Sequence, residues 1–123
     1  MAKLLREYES IIILRPDVEE TVENSVRDRI EGILNERGGH LLVWDSWGRR
    51  KLAYTVRDRS AQKKHTKGTY HYIQYLGGAD LVTELTRNFR LMEPVLKFLT
   101  VKLADDVELE ARLARPAQID VEE

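Results

Sequence analysis

The 123-residue chain contains no cysteine. Disulfides, thiolate metal sites and cysteine nucleophiles are thereby excluded. It has only three prolines and two phenylalanines, and no apolar run approaches the ~18 residues needed to span a bilayer. Met1-Ala2-Lys3-Leu4-Leu5-Arg6 lacks the long apolar centre of a secretory signal, so the protein is expected to stay in the cytoplasm, with no membrane partner. His40, His65 and His71 lie far apart in sequence and form no metal-ligand pair. No metal or cofactor is expected. At 42% hydrophobic and 33% charged residues, the chain has the composition of one globular domain with a strongly charged surface.

The net charge of -1 conceals segregation. Residues 17–37 carry seven acidic and three basic side chains, and residues 104–123 carry seven and two. Residues 40–76 hold eight lysines and arginines (Arg49, Arg50, Lys51, Arg57, Arg59, Lys63, Lys64, Lys67) against only Asp45 and Asp58. Such a segment suits contact with a polyanion, because each cation that neutralises a phosphate releases condensed counterions. The alternative is an ordinary solvated loop.

Within that segment Trp47-Gly48-Arg49-Arg50-Lys51-Leu52-Ala53-Tyr54-Thr55-Val56 is distinctive. Gly48 permits a bend. Leu52, Tyr54 and Val56 recur with the period of two that marks a strand with one buried face. Arg49 and Lys51 then share one side of the strand, and Arg50 points to the other.

Tyr8–Leu14, with Ile11, Ile12 and Ile13 in a row, predicts a central strand that Pro16 stops. Asp17 and Glu20 have the spacing of a helix N-terminus. Val18, Val22, Val26, Ile30, Ile33 and Leu34 give an apolar stripe on about five helical turns, ended by Gly38-Gly39. Gly32 marks a place for close packing on a sheet. A second strand starts at Leu41-Leu42-Val43-Trp44 and continues through the basic motif, with a bulge or turn at Ser46–Gly48. Residues 57–67 read as a mobile loop, and Tyr70–Leu76 as a third strand. Gly77-Gly78 breaks it, with Asp80 as the cap of a helix whose stripe is Leu81, Leu85 and Phe89. Val95–Leu103 is the fourth strand. The division is a domain over residues 1–103 and an acidic, flexible tail over 104–123.

The order β-α-β-β-α-β predicts an α+β, ferredoxin-like fold: a four-stranded antiparallel sheet with two helices on one face. The strands carry apolar residues on both sides, so the helix-free face is expected to receive a partner.

Arg6-Glu7-Tyr8-Glu9, the Arg15-Pro16-Asp17 helix start, Trp47-Gly48-Arg49-Arg50-Lys51-Leu52-Ala53-Tyr54, Lys67-Gly68-Thr69-Tyr70 and Phe89-Arg90-Leu91 occur in an order that resembles the bacterial small-subunit ribosomal protein S-six family, over residues 6–103. Thr55 and Gly77-Gly78 depart from the family pattern. The resemblance implies a non-catalytic binder of the central domain of small-subunit ribosomal RNA, acting with ribosomal protein S-eighteen. It implies RNA contacts from Arg6, Arg49, Arg50, Lys51, Arg90, Lys97 and Lys102, directed at phosphate and sugar, and a partner-protein face at Ile11, Ile13 and Tyr72. Trp47 and Tyr54 are expected to anchor the turn. An acylphosphatase-like enzyme of the same fold would need a glycine-rich anion cradle that Arg15-Pro16-Asp17 lacks. A small-molecule regulatory module of this fold is the remaining alternative, with no need for the basic block.

Overall fold

A computed structural model describes residues 4–57 and 64–114, without the side chains of Ala53, Tyr54 and Arg57. Its elements are β1 (Leu4–Leu14), α1 (Glu20–Glu36), β2 (His40–Arg57), β3 (Lys64–Gly77), α2 (Ala79–Leu91), β4 (Val95–Glu108) and a short α3 (Leu109–Leu113). The sheet order is β2-β3-β1-β4 with every pair antiparallel. This is the expected ferredoxin-like arrangement. Among the described residues no helix is long and apolar enough to cross a membrane.

The alternation in β1 sends Tyr8, Ser10, Ile12 and Leu14 toward the helices. They meet Ile73 and Tyr75 of β3, Val26, Ile30 and Leu34 of α1, and Leu81, Leu85 and Phe89 of α2. Phe89 packs against Phe98 of β4 at 5.2 Å between ring centroids. The buried Ser10 hydroxyl on β1 is satisfied, lying 2.9 Å from the Tyr75 hydroxyl and 2.7 Å from Thr100 Oγ1. Burying the hydroxyl without those partners would cost roughly 1–3 kcal/mol.

Helix α1 ends as Gly38-Gly39 predicts. Gly38 takes φ +69°, Gly39 N–H donates to Leu34 O at 2.7 Å, and Gly38 N–H donates to Asn35 O at 3.4 Å. These are the paired bonds of a Schellman closure. Gly48 likewise has φ +76°, at a register shift between Ser46 and Gly48.

Several local expectations change. The first helix starts at Glu20 rather than at Asp17, and its flanking Glu19 makes no side-chain cap. Asp80 lies inside the first turn of α2, after Gly78. Gly78 takes the N-cap position and has no side chain to cap with, and a side chain at Gly77 would come within 2.0 Å of Leu81 Cδ2. Gly32 faces open space rather than a close contact. The third strand begins at Lys64, so only residues 58–63 of the expected loop remain, and they lie outside the described residues.

The boundary placed at residue 103 falls inside β4, which runs on to Glu108. Leu5 pairs with Val107 and Leu4 with Glu108 past irregularities at Leu5–Tyr8, where Asp106 takes φ +52°. Arg112 of α3 then reaches back over the helix-free face, its Nε donating to Glu7 Oε1 at 2.7 Å and its Nη2 to Gln74 Oε1 at 3.4 Å. The flexible tail expected beyond this point, residues 115–123, lies outside the described residues.

Candidate functional site

The register sets two rows across the helix-free face. Asp45, Tyr72, Ile11 and Leu99 form one, and Gly48, Tyr70, Ile13 and Lys97 form the next. Ile11, Ile13, Leu52, Val56, Tyr70, Lys97 and Leu99 line an open groove of about 220 Å³, to which Phe98 also contributes. Beside it, Leu99 is 60% exposed and Val101 and Leu103 are 43% exposed. Patches of this kind mark sites of association.

Ile11, Ile13 and Tyr72 do share this face, but they are not equally available. Tyr72 is buried. The Trp47 indole lies parallel to its ring at 5.3 Å, brought there by the bulge at Gly48, and the Tyr72 hydroxyl donates to Glu9. Burial first, and then the Glu9 carboxylate, push the Tyr72 hydroxyl up to about 12. Trp47 Nε1 donates to Asp45 Oδ2 at 3.1 Å, and the Arg50 guanidinium lies 5.2 Å from the Trp47 ring centre. Trp47 thus anchors the bend, as expected. The Tyr54 side chain lies outside the described residues.

Arg50 is on the groove side of the arm formed by the distal halves of β2 and β3. Arg49 is on the other, where Pro16, Asp17, Arg49, Lys64, His65, Thr66 and Lys67 line a pocket of about 310 Å³. This matches the alternation predicted for Arg49, Arg50 and Lys51, all three of which are exposed.

Ion pairing separates the remaining cations. Arg6 lies 3.5 Å and Lys102 3.1 Å from Asp105. Arg15 meets Glu93, Arg27 meets Glu31, Arg37 meets Asp80 and Glu84, Arg87 meets Glu84, and Arg112 meets Glu7. Among the described residues no carboxylate pairs with Arg49, Arg50, Lys51, Lys64 or Lys67. The seven cations predicted from sequence therefore do not make one patch. Arg49, Arg50 and Lys51 stand on edge strand β2, Lys97 and Lys102 on the opposite edge strand β4, Arg90 near the end of α2, and Arg6 near the start of β1. Lys64, His65 and Lys67, which line the pocket with Arg49, are not among the residues that the sequence singles out as site residues. Their charge made a strand read as a loop, although Thr66, Thr69 and Tyr70 carry β-propensity.

On the helix side, His71 is buried beside Trp44, its ring 5.1 Å from the indole and its Nε2 3.9 Å from Glu23 Oε2. Burial holds the imidazole below its ordinary value, against the opposing pull of Glu23. It is a core group with no access to a ligand.

The family model described as ribosomal protein S6 matches residues 7–102. The chain belongs to the ribosomal protein S6 family. It is 42% identical over 118 residues to the small ribosomal subunit protein bS6 of Desulforapulum autotrophicum, covering 96% of this chain and 70% of that protein. With bS6 of Trichlorobacter lovleyi the identity is 40% over 112 residues, covering 91% and 87%. Among solved structures, the 30S ribosomal protein S6 from Thermotoga maritima superposes with a TM-score of 0.68 at 25% identity, over 80% of this chain and 88% of that one. This S6-family chain is a non-enzymatic constituent of the small ribosomal subunit in the bacterial cytoplasm.

Proposed function

We propose that the protein binds the central domain of small-subunit ribosomal RNA through the β2–β3 arm while its helix-free face docks ribosomal protein S-eighteen. The carrying observation is the difference in pairing. Arg6, Arg15, Arg27 and Arg112 meet carboxylates of the same chain, whereas Arg49, Arg50 and Lys51 stand on strand β2 with no carboxylate partner among the described residues. A guanidinium already in an ion pair must give up that partner before it meets a phosphate, so Arg6 and Lys102 contribute less. Arg90 and Lys97 are auxiliary contacts at the other edge and on α2. On the groove, Ile11 and Leu99 supply the accessible apolar anchors, with Ile13 and Leu52 beneath them; Tyr72 supports Trp47 from below.

Filter binding of a central-domain RNA fragment, with the partner protein present, tests the reading. Affinity should fall steeply with salt, and Arg49→Ala/Arg50→Ala should lower the slope of log K against log salt by ~0.7–0.9 for each phosphate that the variant no longer neutralises. An unchanged slope and affinity in the double variant would remove the arm from the mechanism. Ile11→Asp should abolish capture of the partner in a pull-down while circular dichroism stays native; undiminished capture would refute the docking face.

A further inference from the structure

We infer that the pocket behind the arm is a phosphate seat, in which Arg49, Lys64, His65 and Lys67 hold one phosphate group of the bound RNA against the β1–α1 turn. The inference rests on the RNA reading above and gives it a specific location, on the side of the arm away from the apolar groove.

Three observations carry it. The pocket is lined by two separate parts of the chain, Pro16 and Asp17 from the β1–α1 turn and Arg49 with Lys64–Lys67 from the arm, which together form a solvent-open recess. Its volume, about 310 Å³, is far above the ~10–15 Å³ that one water needs by a comparable measure and accommodates a phosphate with part of its hydration shell. Among the described residues its lining brings two ammonium groups, a guanidinium, the largely buried His65 imidazole and the Thr66 hydroxyl against one carboxylate, Asp17. That donor set matches phosphate, which accepts from several directions at once.

The second observation is the ladder. Lys51 and Lys67 are directly opposite partners in the β2–β3 register, with Arg49 opposite Thr69 next to them. Like charges facing each other across antiparallel strands are destabilising. No carboxylate among the described residues relieves this pair, so the arm has an uncompensated positive field that a bound anion would remove.

The third is the separation of faces. Arg50 stacks on Trp47 toward the groove side, whereas Arg49 lines this pocket. Adjacent arginines thus address different surfaces. A phosphate in the pocket leaves the groove open, and RNA and a protein partner can occupy the chain together. Asp17, exposed and without an ion pair among the described residues, weakens the anion's hold and sets its affinity.

The experiment is an NMR titration of the whole chain, first with inorganic phosphate against chloride at matched ionic strength, then with a central-domain RNA fragment. The imidazole carbon-bound protons of His65 report on the pocket; those of His40, which lines a different depression with Arg27 and Glu31, are the internal control. Phosphate should move the His65 signals and leave those of His40 in place. Lys64→Ala/Lys67→Ala should abolish the response and weaken RNA binding roughly tenfold. Asp17→Asn should tighten both ligands by roughly two- to fivefold, a gain that simple damage to the fold would not produce. Equal movement of His40 and His65, or a response that survives in the double lysine variant, would overturn the phosphate seat. RNA that binds without moving His65 would overturn the pocket while leaving the RNA reading intact. A wild-type chain that takes inorganic phosphate but no RNA would overturn the assignment to RNA.

Discussion

Replacing Arg112 by methionine tests how the end of the chain is fastened. Its Nε is 2.7 Å from Glu7 Oε1, and the side chains of the pair are only 5% and 13% exposed. Methionine keeps much of the apolar stem and removes the charge. Glu7 is then left as a largely buried carboxylate without its strongest donor. Breaking such a pair from one side costs ~3–5 kcal/mol. The residual exposure of Glu7 lets water reach the carboxylate, so the lower end, about 3 kcal/mol, applies. The bond to Gln74 adds little, since 3.4 Å is near the limit of a hydrogen bond.

In urea, with a slope of ~1.5 kcal/mol/M for a domain of this size, that loss lowers the unfolding midpoint by roughly 2 M. The decisive comparison is Glu7→Gln/Arg112→Met. With both charges gone no ion is stranded, and the double variant should lie within about 1 kcal/mol of wild type, a coupling of ~2 kcal/mol or more. Amide exchange over residues 105–113 should accelerate in the single variant. A single variant that loses less than about 1 kcal/mol, or a double variant that loses the sum of the two singles, would refute the claim that this pair holds the strand extension and α3 against the sheet.

The buried His71 should make stability fall with acid. Burial lowers its folded pKa below the ordinary 6.5, so its contribution is complete above ~6.5 and is lost as pH drops through the folded value, by at most ~1.4 kcal/mol per pH unit; His71→Phe should flatten the difference in Tm between pH 7 and pH 5, and an unchanged difference would refute it. Tyr72, raised to about 12, should lose its proton late in an absorbance titration at 295 nm. Its stabilising contribution is full below ~10 and is lost as pH rises from there toward 12, so Tyr72→Phe should lessen alkaline unfolding; a normal phenol transition near 10 for this residue contradicts the stacked, Glu9-bonded geometry. Gly77→Ala, whose new methyl would meet Leu81 Cδ2 at 2.0 Å, should cost ~1–3 kcal/mol. Gly32→Ala, in open space within α1, should stabilise by up to ~1 kcal/mol in the same thermal assay; equal effects would show that the turn before α2 is not tightly packed.

What the sequence revealed depended on whether a signal was periodic. Ile11–Leu14, the α1 stripe and Leu81/Leu85/Phe89 repeat at the spacing of their elements, and they fix the order of strands and helices. Gly48 was legible because a bend between two strand-like runs has few other solutions. The strand extensions were hidden by charge. Lys64 and Lys67 at the start of β3, and Asp105 and Asp106 in β4, interrupt the apolar alternation, although the ladder includes Lys64 and Lys67 and resumes at Val107. Arg112 carries no periodic signal; its importance arises only because β4 and α3 bring it to Glu7. The same holds for the site. The alternation of Arg49, Arg50 and Lys51 could be read directly, but the neutralisation of Arg6 and Lys102 by one shared Asp105 depends on a shifted ladder, and the shielding of Tyr72 depends on a tryptophan folded over by a bulge.

The near-neutral total charge follows from this division. Carboxylates on α1, α2 and β4 are matched to nearby arginines and lysines, and Arg49, Arg50, Lys51, Lys64 and Lys67 of the arm have no carboxylate partner among the described residues. At physiological ionic strength a field extends only about one Debye length, ~8 Å, so a polyanion responds to the local excess rather than to the net charge. Exposed carboxylates on α1, Glu19 and Glu20 at its start and Glu36 at its end, lie outside the cation-rich arm. They repel a nucleic acid that approaches along the outer face of α1 and favour orientations in which the arm leads. Neutralising the arm should therefore slow association as well as hasten release, whereas filling the groove on the opposite side of the arm leaves the encounter rate with RNA unchanged. Stopped-flow association rates of the Arg49→Ala/Arg50→Ala variant at two salt concentrations separate these contributions, and an association rate equal to that of wild type at low salt would show that the arm acts only after contact.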